Sequence, residues 1–327
     1  MKIFGIGHAI MDLFVESNGE TLRDLNIDAG SMTLISEEES RNLLNFFSPN
    51  RFSSGGSVGN TLAALGTFGV RPTFMGVVAM DSFGSAYVED LTKTGVVFQD
   101  VSSSELADST GHCIVVVTED GQRTMFTNLG SSSMFDSNVD LDDVMGEVDG
   151  QEKVVYLEGY LLDSPSGDRL ISAVLSNGRP DLRVALTLSD FFLVDRHRQR
   201  IWEIIRSGRV SVLFANEAEI VGLCNVDSAE VGAMLVAELV EEVVVTLGEK
   251  GAIVASVDGV VRTPTKASRV VDTTGAGDLF AAGYLYGKFQ GRDLATCCRF
   301  GNLCAGEIIT HFGARLESDI RSQLAQD

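Results

Sequence analysis

Residues 270–287 read VVDTTGAGDLFAAGYLYG. Gly275 and Gly277 stand between Asp272 and Asp278, and an apolar helical pattern follows at once. A helix start leaves main-chain N–H groups without intrahelical acceptors, and these groups together with the helix dipole attract phosphate. The amides of Gly275, Ala276 and Gly277 are therefore candidates for an anion hole, and the missing side chains let a phosphoryl group come close. Asp278 brings a negative charge to that anion site. Its carboxylate suits a base that orients an attacking hydroxyl and accepts its proton late in phosphoryl transfer. The same residues also read as a glycine-rich helix start with an acid near the positive end of the dipole.

Other phosphate motifs are missing. The sequence has no GxxxxGK[ST], which excludes a P-loop enzyme, and Gly5-Ile6-Gly7 lacks the third glycine of a dinucleotide fingerprint. The formal net charge of -21 argues against nucleic acid as a partner, since phosphate backbones are bound by clustered cations. An anionic ligand here needs backbone dipoles, a few Arg or Lys, and a divalent cation. Five cysteines without a CxxC pair, and four histidines without HExxH, point to free thiols and to no metal site built from side chains alone. No apolar run approaches the ~20 residues of a membrane span. The N-terminus meets glycine and then an acid too early for a signal peptide, so the expected compartment is the cytoplasm.

The elements that must position these groups alternate between strand and helix. KIFGIG, PTFMGVV, VVYLEG, VALTL, VSVLFAN and EVVVTLG are short apolar runs, most of them followed by a helical stretch. Continuous apolar strands between helices predict a mostly parallel sheet covered on both faces, with ligands at the strands' carboxyl ends. Residues 9–52 and 96–128 break the rhythm. The first holds Ser36 and Glu39, spaced as a capping box, and the second holds the two-residue hairpin turn Asp120-Gly121. Segments within these two ranges are expected to form a small β lid on one α/β domain spanning 1–327. The acidic stretch 136–152 reads as a solvated face.

Three motifs now stand in order. DTTGAGDLFAAGYLYG resembles the C-terminal motif of the ribokinase (PfkB) family of sugar and nucleoside kinases, GGSVGNTLAALGTFG (55–69) resembles its N-terminal motif, and Asn216-Glu217-Ala218-Glu219 its NxxE element. The resemblance runs from about residue 3 to 315. It implies a central, mostly parallel α/β sheet flanked by helices with a β-sheet lid, and ATP with Mg2+ as cofactors. By similarity Asp278 is the catalytic base, with Gly275, Ala276 and Gly277 as the anion hole. Asn216 and Glu219 share one helix face and by resemblance help place Mg2+ through water; they also fit an ordinary capping pair. Thr246, Gly248 and Gly251 match the nucleotide loop, and Asn302 a position near the adenine. Asp272 and Thr274 match oxygen ligands of a monovalent cation such as K+ in several relatives, and equally fit a helix cap.

For the acceptor, the resemblance implies Asp12, Gly55, Gly56 and Asn60 as sugar-hydroxyl contacts. His8 stands where the family usually has Asn, which leaves it as a substrate contact or a satisfied strand-end residue. Arg123 is a candidate cation for the transferred phosphate or a solvated hairpin arginine. RTMFTNLGSS, YLEGYLL and LTLSDFFLVDRHR look most like segments of adenosine kinases, including bacterial ones, which makes Tyr160 and Leu161 candidates to face a base or to pack in the core. Thr274 departs from the Asn common in animal adenosine kinases. The expected acceptor is a small molecule, the 5′-hydroxyl of adenosine ahead of a free sugar such as ribose or fructose; a homodimer is left open. The competing reading is a non-catalytic binding protein that kept the fold, against which the intact motifs argue.

Overall fold

A computed structural model describes residues 1–17, 32–104, 107, 109–118, 123–136, 138–266 and 269–324, with the side chains of residues 17 and 123 outside that description. Its strands are β1 (Lys2–Ile6), β2 (Met11–Ser17), β3 (Met32–Leu34), β4 (Arg51–Ser54), β5 (Thr73–Gly76), β6 (Val97–Asp100) and β7 (His112–Thr118). There follow β8 (Arg123–Asn128), β9 (Lys153–Glu158), β10 (Leu182–Thr187), β11 (Val210–Asn216), β12 (Glu242–Thr246), β13 (Ala252–Ser256) and β14 (Gly259–Thr263). The helices are α1 (Glu37–Phe46), α2 (Ser57–Thr67), α3 (Ser82–Lys93), α4 (Leu141–Met145), α5 (Pro165–Ser176) and α6 (Phe191–Arg206). The remainder are α7 (Glu217–Cys224), α8 (Ala229–Ala237), α9 (Ala276–Phe289), α10 (Leu294–Ile308) and α11 (Arg321–Leu324).

The large sheet runs β14-β13-β12-β11-β10-β9-β1-β5-β6. From β6 to β12 every pairing is parallel; β12–β13 and β13–β14 are antiparallel. Alternate residues of each parallel strand enter opposite cores, as the period of two demands. Ile3, Tyr156, Phe214 and Val244 pack with α2, α9 and α10, whereas Phe4, Leu157, Leu213 and Val245 pack with α5, α6, α7 and α8. This is the two-sided burial that the near-continuous apolar runs predict. Helix α2 lies hard against β1, because a Cβ on Gly5 would sit 2.6 Å from Leu62 Cδ1.

A second sheet, β3-β8-β7-β2-β4, covers the carboxyl ends of the large one. It draws on both segments expected for the lid. Two parts of those ranges fall elsewhere: β6 extends the large sheet beside β5, and residues 37–46 form α1, where Ser36 and Glu39 make the expected reciprocal capping box. The reason for β6 is local, since α3 supplies the crossover that parallel pairing with β5 requires. The turn Asp120-Gly121 lies outside the described residues; β7 and β8 on either side of it pair antiparallel. The acidic stretch is not merely solvated, since Asp142 and Asp149 pair with Arg179 and Lys153. All five cysteines are free thiols, four of them buried. Among the described residues no single helix is long and apolar enough to cross a membrane.

Leu62, fully buried between α2 and β1, holds the helix that carries the acceptor-side motif. Leu62→Ala is expected to lower the unfolding free energy by about 2–5 kcal/mol in urea titrations, through lost contacts and the cavity left behind. Phe46→Ala, at a position 61% exposed, should change it by under ~0.5 kcal/mol.

Candidate active site

The carboxyl ends of β9, β10, β11 and β12 bring Glu158, Thr187, Asn216 and Thr246 into nearly one row, with the register Glu158↔Thr187 and Asn216↔Thr246. The strand order turns at β1, between β5 and β9, where a doubly wound sheet opens a crevice. A cleft of ≈ 410 Å³ lies there, floored by these strand ends and by the start of α9. The small sheet forms its opposite wall. Register aligns Asp12, Cys113, Thr127 and Leu34 across β2, β7, β8 and β3, and all four line the cleft.

Asp278 sits in the first turn of α9, partly exposed to the cleft. Ser57 Oγ donates to its Oδ1 at 2.7 Å and Asn60 Nδ2 to its Oδ2 at 2.8 Å. Thr61 Oγ1 donates to the Asp278 carbonyl at 3.0 Å, so the amino end of α2 holds both side chain and backbone. Burial pushes the carboxyl pKa up to about 6, against the two hydrogen bonds and the Arg315 guanidinium, which pull it down. It is a carboxylate at neutral pH and more basic than an exposed aspartate.

Gly275 caps α9 with φ 74°, a left-handed conformation that glycine adopts without strain, and a Cβ there would come within 2.7 Å of Ala314 Cβ. Among the described residues the Gly275 and Gly277 N–H groups meet no acceptor. Ala276 differs from the expectation for the three amides: its N–H donates to Thr273 O at 3.2 Å in the turn that opens the helix. The Gly277 Cα is open, with nothing within 4 Å of a Cβ built on it.

Asn216 and Glu219 cap α7 reciprocally. Asn216 Oδ1 accepts the Glu219 N–H at 2.9 Å, Glu219 Oε2 accepts the Asn216 N–H at 2.9 Å, and Asn216 Nδ2 donates to Glu219 Oε1 at 2.6 Å. The capping reading is thus realised, and both residues also line the cleft. Burial, with Asp190 and Asp278 adding negative charge, pushes the Glu219 carboxyl up to about 7. The described lining holds Asp12, Glu158, Asp163, Asp190, Glu219 and Asp278 but no lysine or arginine. Crowded carboxylates that raise one another's pKa fit a divalent cation held through water, which the charge balance also asked for. No group of three or more His, Cys, Asp or Glu forms a cage of its own among the described residues.

Of the residues expected at the acceptor, Asp12 lines the cleft with Gly55 packed against it, where a Cβ would lie 2.3 Å from Asp12 Oδ2. Gly56 has φ 81° and no room for a side chain, since a Cβ would meet His8 O at 2.4 Å. His8 is buried, stacks on Phe135 at 5.7 Å, and leaves Nε2 at the cleft wall without a partner among the described residues. Burial lowers its pKa to about 4, so the ring is neutral. Tyr160 lines the cleft, whereas Leu161 turns away into the core, because the short 3₁₀ turn at 159–163 places neighbours on different sides. Arg123 opens β8, but its side chain lies outside the described residues.

The other nucleotide-side expectations divide. Thr246 lines the cleft, and Gly248 and Gly251 form the tight turn between β12 and β13 with φ 58° and 89°. Asn302 sits behind that turn, donating from Nδ2 to Thr263 O at 3.1 Å and Pro264 O at 3.3 Å. Thr274 lines the cleft. Asp272 is buried and accepts N–H bonds from Thr274 at 3.0 Å and Gly313 at 2.8 Å, so it ties the turn before α9 to the segment after α10.

Three residues escaped the sequence reading. Glu158, buried, accepts the His8 and Val58 N–H groups at 2.8 and 3.0 Å, and burial pushes its pKa up to about 7. Its signal was an acid closing an apolar strand. Ser189 carries φ 70°, unusual for a non-glycine residue, and accepts the Gly159 N–H at 2.9 Å beside the cleft. Arg315 contacts Asn60 and Ser54 from a loop with no motif.

Residues 14–321 match the pfkB family carbohydrate kinase model. The crystal structure of an adenosine kinase from Sinorhizobium meliloti is similar at 35% identity and a TM-score of 0.89, covering 99% of this chain and 98% of that one. A probable sugar kinase from Rhizobium etli CFN 42 is similar at 34% identity and 0.90 over the same shares. The adenosine kinase of Schizosaccharomyces pombe is 26% identical over 96% of both chains. A carboxylate and helix-tip amides facing one cleft, on this fold and with these matches, make the chain a member of the pfkB family of carbohydrate kinases.

Proposed function

We propose that the chain transfers the γ-phosphoryl of ATP to the 5′-hydroxyl of adenosine, with Mg2+, Asp278 as base, and the Gly275 and Gly277 N–H groups on the migrating phosphoryl. One observation carries this reading: a partly exposed carboxylate, held on both oxygens by Ser57 and Asn60, stands beside two amides that meet no acceptor among the described residues. The two donors fix the carboxyl plane yet leave each oxygen a lone pair for the alcohol. Raised to about 6, the carboxyl is basic enough to take the proton late and is still ionised at neutral pH. Mg2+ would neutralise phosphate charge that the acidic lining cannot, with Asn216 and Glu219 positioned to hold its waters. The small sheet over the cleft excludes water that would otherwise take the phosphoryl.

Adenosine is favoured over a free sugar by the wall above Asp12. Ile10, Met32, Leu34, Met125 and Leu129 line it together with Tyr160, an apolar surface suited to a flat base and unneeded by ribose or fructose. The similarity to the Sinorhizobium meliloti adenosine kinase supports the same acceptor. The near-equal similarity to the probable sugar kinase of Rhizobium etli favours the second reading, a free-sugar kinase.

ADP release with MgATP and a panel of adenosine, inosine, ribose and fructose decides between them. Adenosine-dependent turnover is expected; turnover with a free sugar alone would overturn the nucleoside assignment. Asp278→Asn should lower kcat by about 10²–10⁴-fold with acceptor binding retained in calorimetry. Below pH 6 the Asp278 carboxyl is protonated and cannot accept, so kcat/KM of the parent should fall on the acid side with an apparent pKa near 6. Gly277→Val meets no steric obstacle in the fold, yet its side chain enters the phosphate approach. It should melt near the parent temperature and lose about 10²-fold in kcat/KM for ATP.

A further inference from the structure

Arg315 belongs to no sequence motif and lies beyond α10, yet its guanidinium sits just behind the cleft, against Asn60 and Ser54, without lining it. Nη1 donates to Asn60 Oδ1 at 2.5 Å; Nη2 donates to Ser54 O at 2.8 Å and to Ser54 Oγ at 2.6 Å. The segment that delivers it is anchored at Gly313, whose N–H donates to Asp272. Arginine has donors and no acceptor, so the Asn60 carbonyl oxygen must face it. The other half of the same planar amide then points away, and there Nδ2 meets Asp278 Oδ2 at 2.8 Å. Turned over, the amide would set an oxygen against a carboxylate and an NH2 group against a guanidinium. A desolvated guanidinium is costly unless its donors are used, and two of its nitrogens are used here on two different elements.

We propose that Arg315 is a positioning residue for phosphoryl transfer: it locks the Asn60 amide with its NH2 toward Asp278 and ties the end of β4, in the small sheet, to the reacting carboxylate. This rests on the reading of Asp278 as the base. Ser54 closes β4 and immediately precedes Gly55 and Gly56 on the acceptor side, so one fork joins the acceptor loop and the base. Charge supports the geometry. Tyr87, Asp90, Asp12 and Asp278 face the guanidinium, and its positive charge opposes the rise that burial imposes on Asp278. The other groups facing Asp278 are Glu158, Glu219, Tyr156 and Tyr160.

The test is steady-state kinetics with MgATP, using whichever acceptor of the panel the parent phosphorylates. The variants are Arg315→Met, Arg315→Lys, Asn60→Ala, the Arg315→Met/Asn60→Ala double variant, and Asp278→Asn. Arg315→Met is expected to lower kcat by about 10–10²-fold, because a freed amide misplaces the base, with KM for ATP held. The acid limb of kcat/KM should move to higher pH, since a positive charge beside Asp278 is gone while the other facing groups remain. Arg315→Lys should recover only part of the rate, one ammonium being unable to bridge Ser54 and Asn60 as a fork does. The double variant should be no slower than Asn60→Ala, because Arg315 acts through that residue. A parental kcat and acid limb in Arg315→Met, beside an inactive Asp278→Asn, would overturn the proposal, as would losses that multiply in the double variant. Should Arg315→Met not fold, Arg315→Lys carries the comparison, and parental kinetics there overturn it. Full turnover in Asp278→Asn removes the base and this inference with it.

Discussion

Six carboxylates line a cleft whose described walls carry no cation, and the rest of the structure is arranged around that crowding. Desolvation holds Asp278 near 6 and, with the neighbouring Asp278 charge adding to it, Glu158 and Glu219 near 7. Acids kept this close in low dielectric need donors. Asp163 takes the Arg196 guanidinium, and the three raised acids take backbone N–H groups and neutral side chains. Glu158 takes two N–H groups where β1 ends and α2 begins, Glu219 takes those of its own cap, and Asp278 takes Ser57 and Asn60. The amides left over, at the tip of α9, face the cleft. On the proposed function, a phosphorylated ligand would meet main-chain dipoles there, and a divalent cation would complete the charge balance.

The acid network also explains how helices far apart in the chain are locked together. Helix α2 abuts β1 at Gly5, and Thr61 reaches the Asp278 backbone, so the two glycine-opened helices share one anchorage. Helix α10 folds back on α9, and the segment after it returns to Asp272 through Gly313 and to Asn60 through Arg315. Lost rigidity in that C-terminal segment would reach the carboxylate without any change in the residues that touch a substrate.

The small sheet contributes its wall of the cleft by alternation alone. Asp12, Cys113, Thr127 and Leu34 share one face across four strands, and the same face adds Met32 and Met125. That face is polar at Asp12 and apolar toward Met32, Leu34 and Met125. His8, neutral and with one ring nitrogen unpartnered, stands between the two regions. An asparagine there would present both a donor and an acceptor of fixed geometry; the imidazole presents one nitrogen to the cleft.

Local signals carried much of this. The apolar strands, the α2 and α9 helix starts, the Ser36–Glu39 capping box and the GAGD turn follow from periods of 2 and 3.6 and from glycine placement, which act over a few residues and need no tertiary context. The antiparallel β13–β14 edge closes on the two-residue turn Val257-Asp258, which the sequence reading did not single out. Long-range decisions were not legible. Whether Ala276 keeps its N–H free depends on a turn closed by Thr273, and whether Leu161 or Tyr160 faces the cleft depends on the phase of a 3₁₀ turn. Asn60 could be read as polar and near the acceptor; which way its amide points was set by Arg315, 255 residues away. Sequence alone determined which groups are capable of the chemistry, because capability is a property of residue type and local spacing. Tertiary structure decided which of them are desolvated, partnered and aimed, because those depend on neighbours that the chain brings together only when folded.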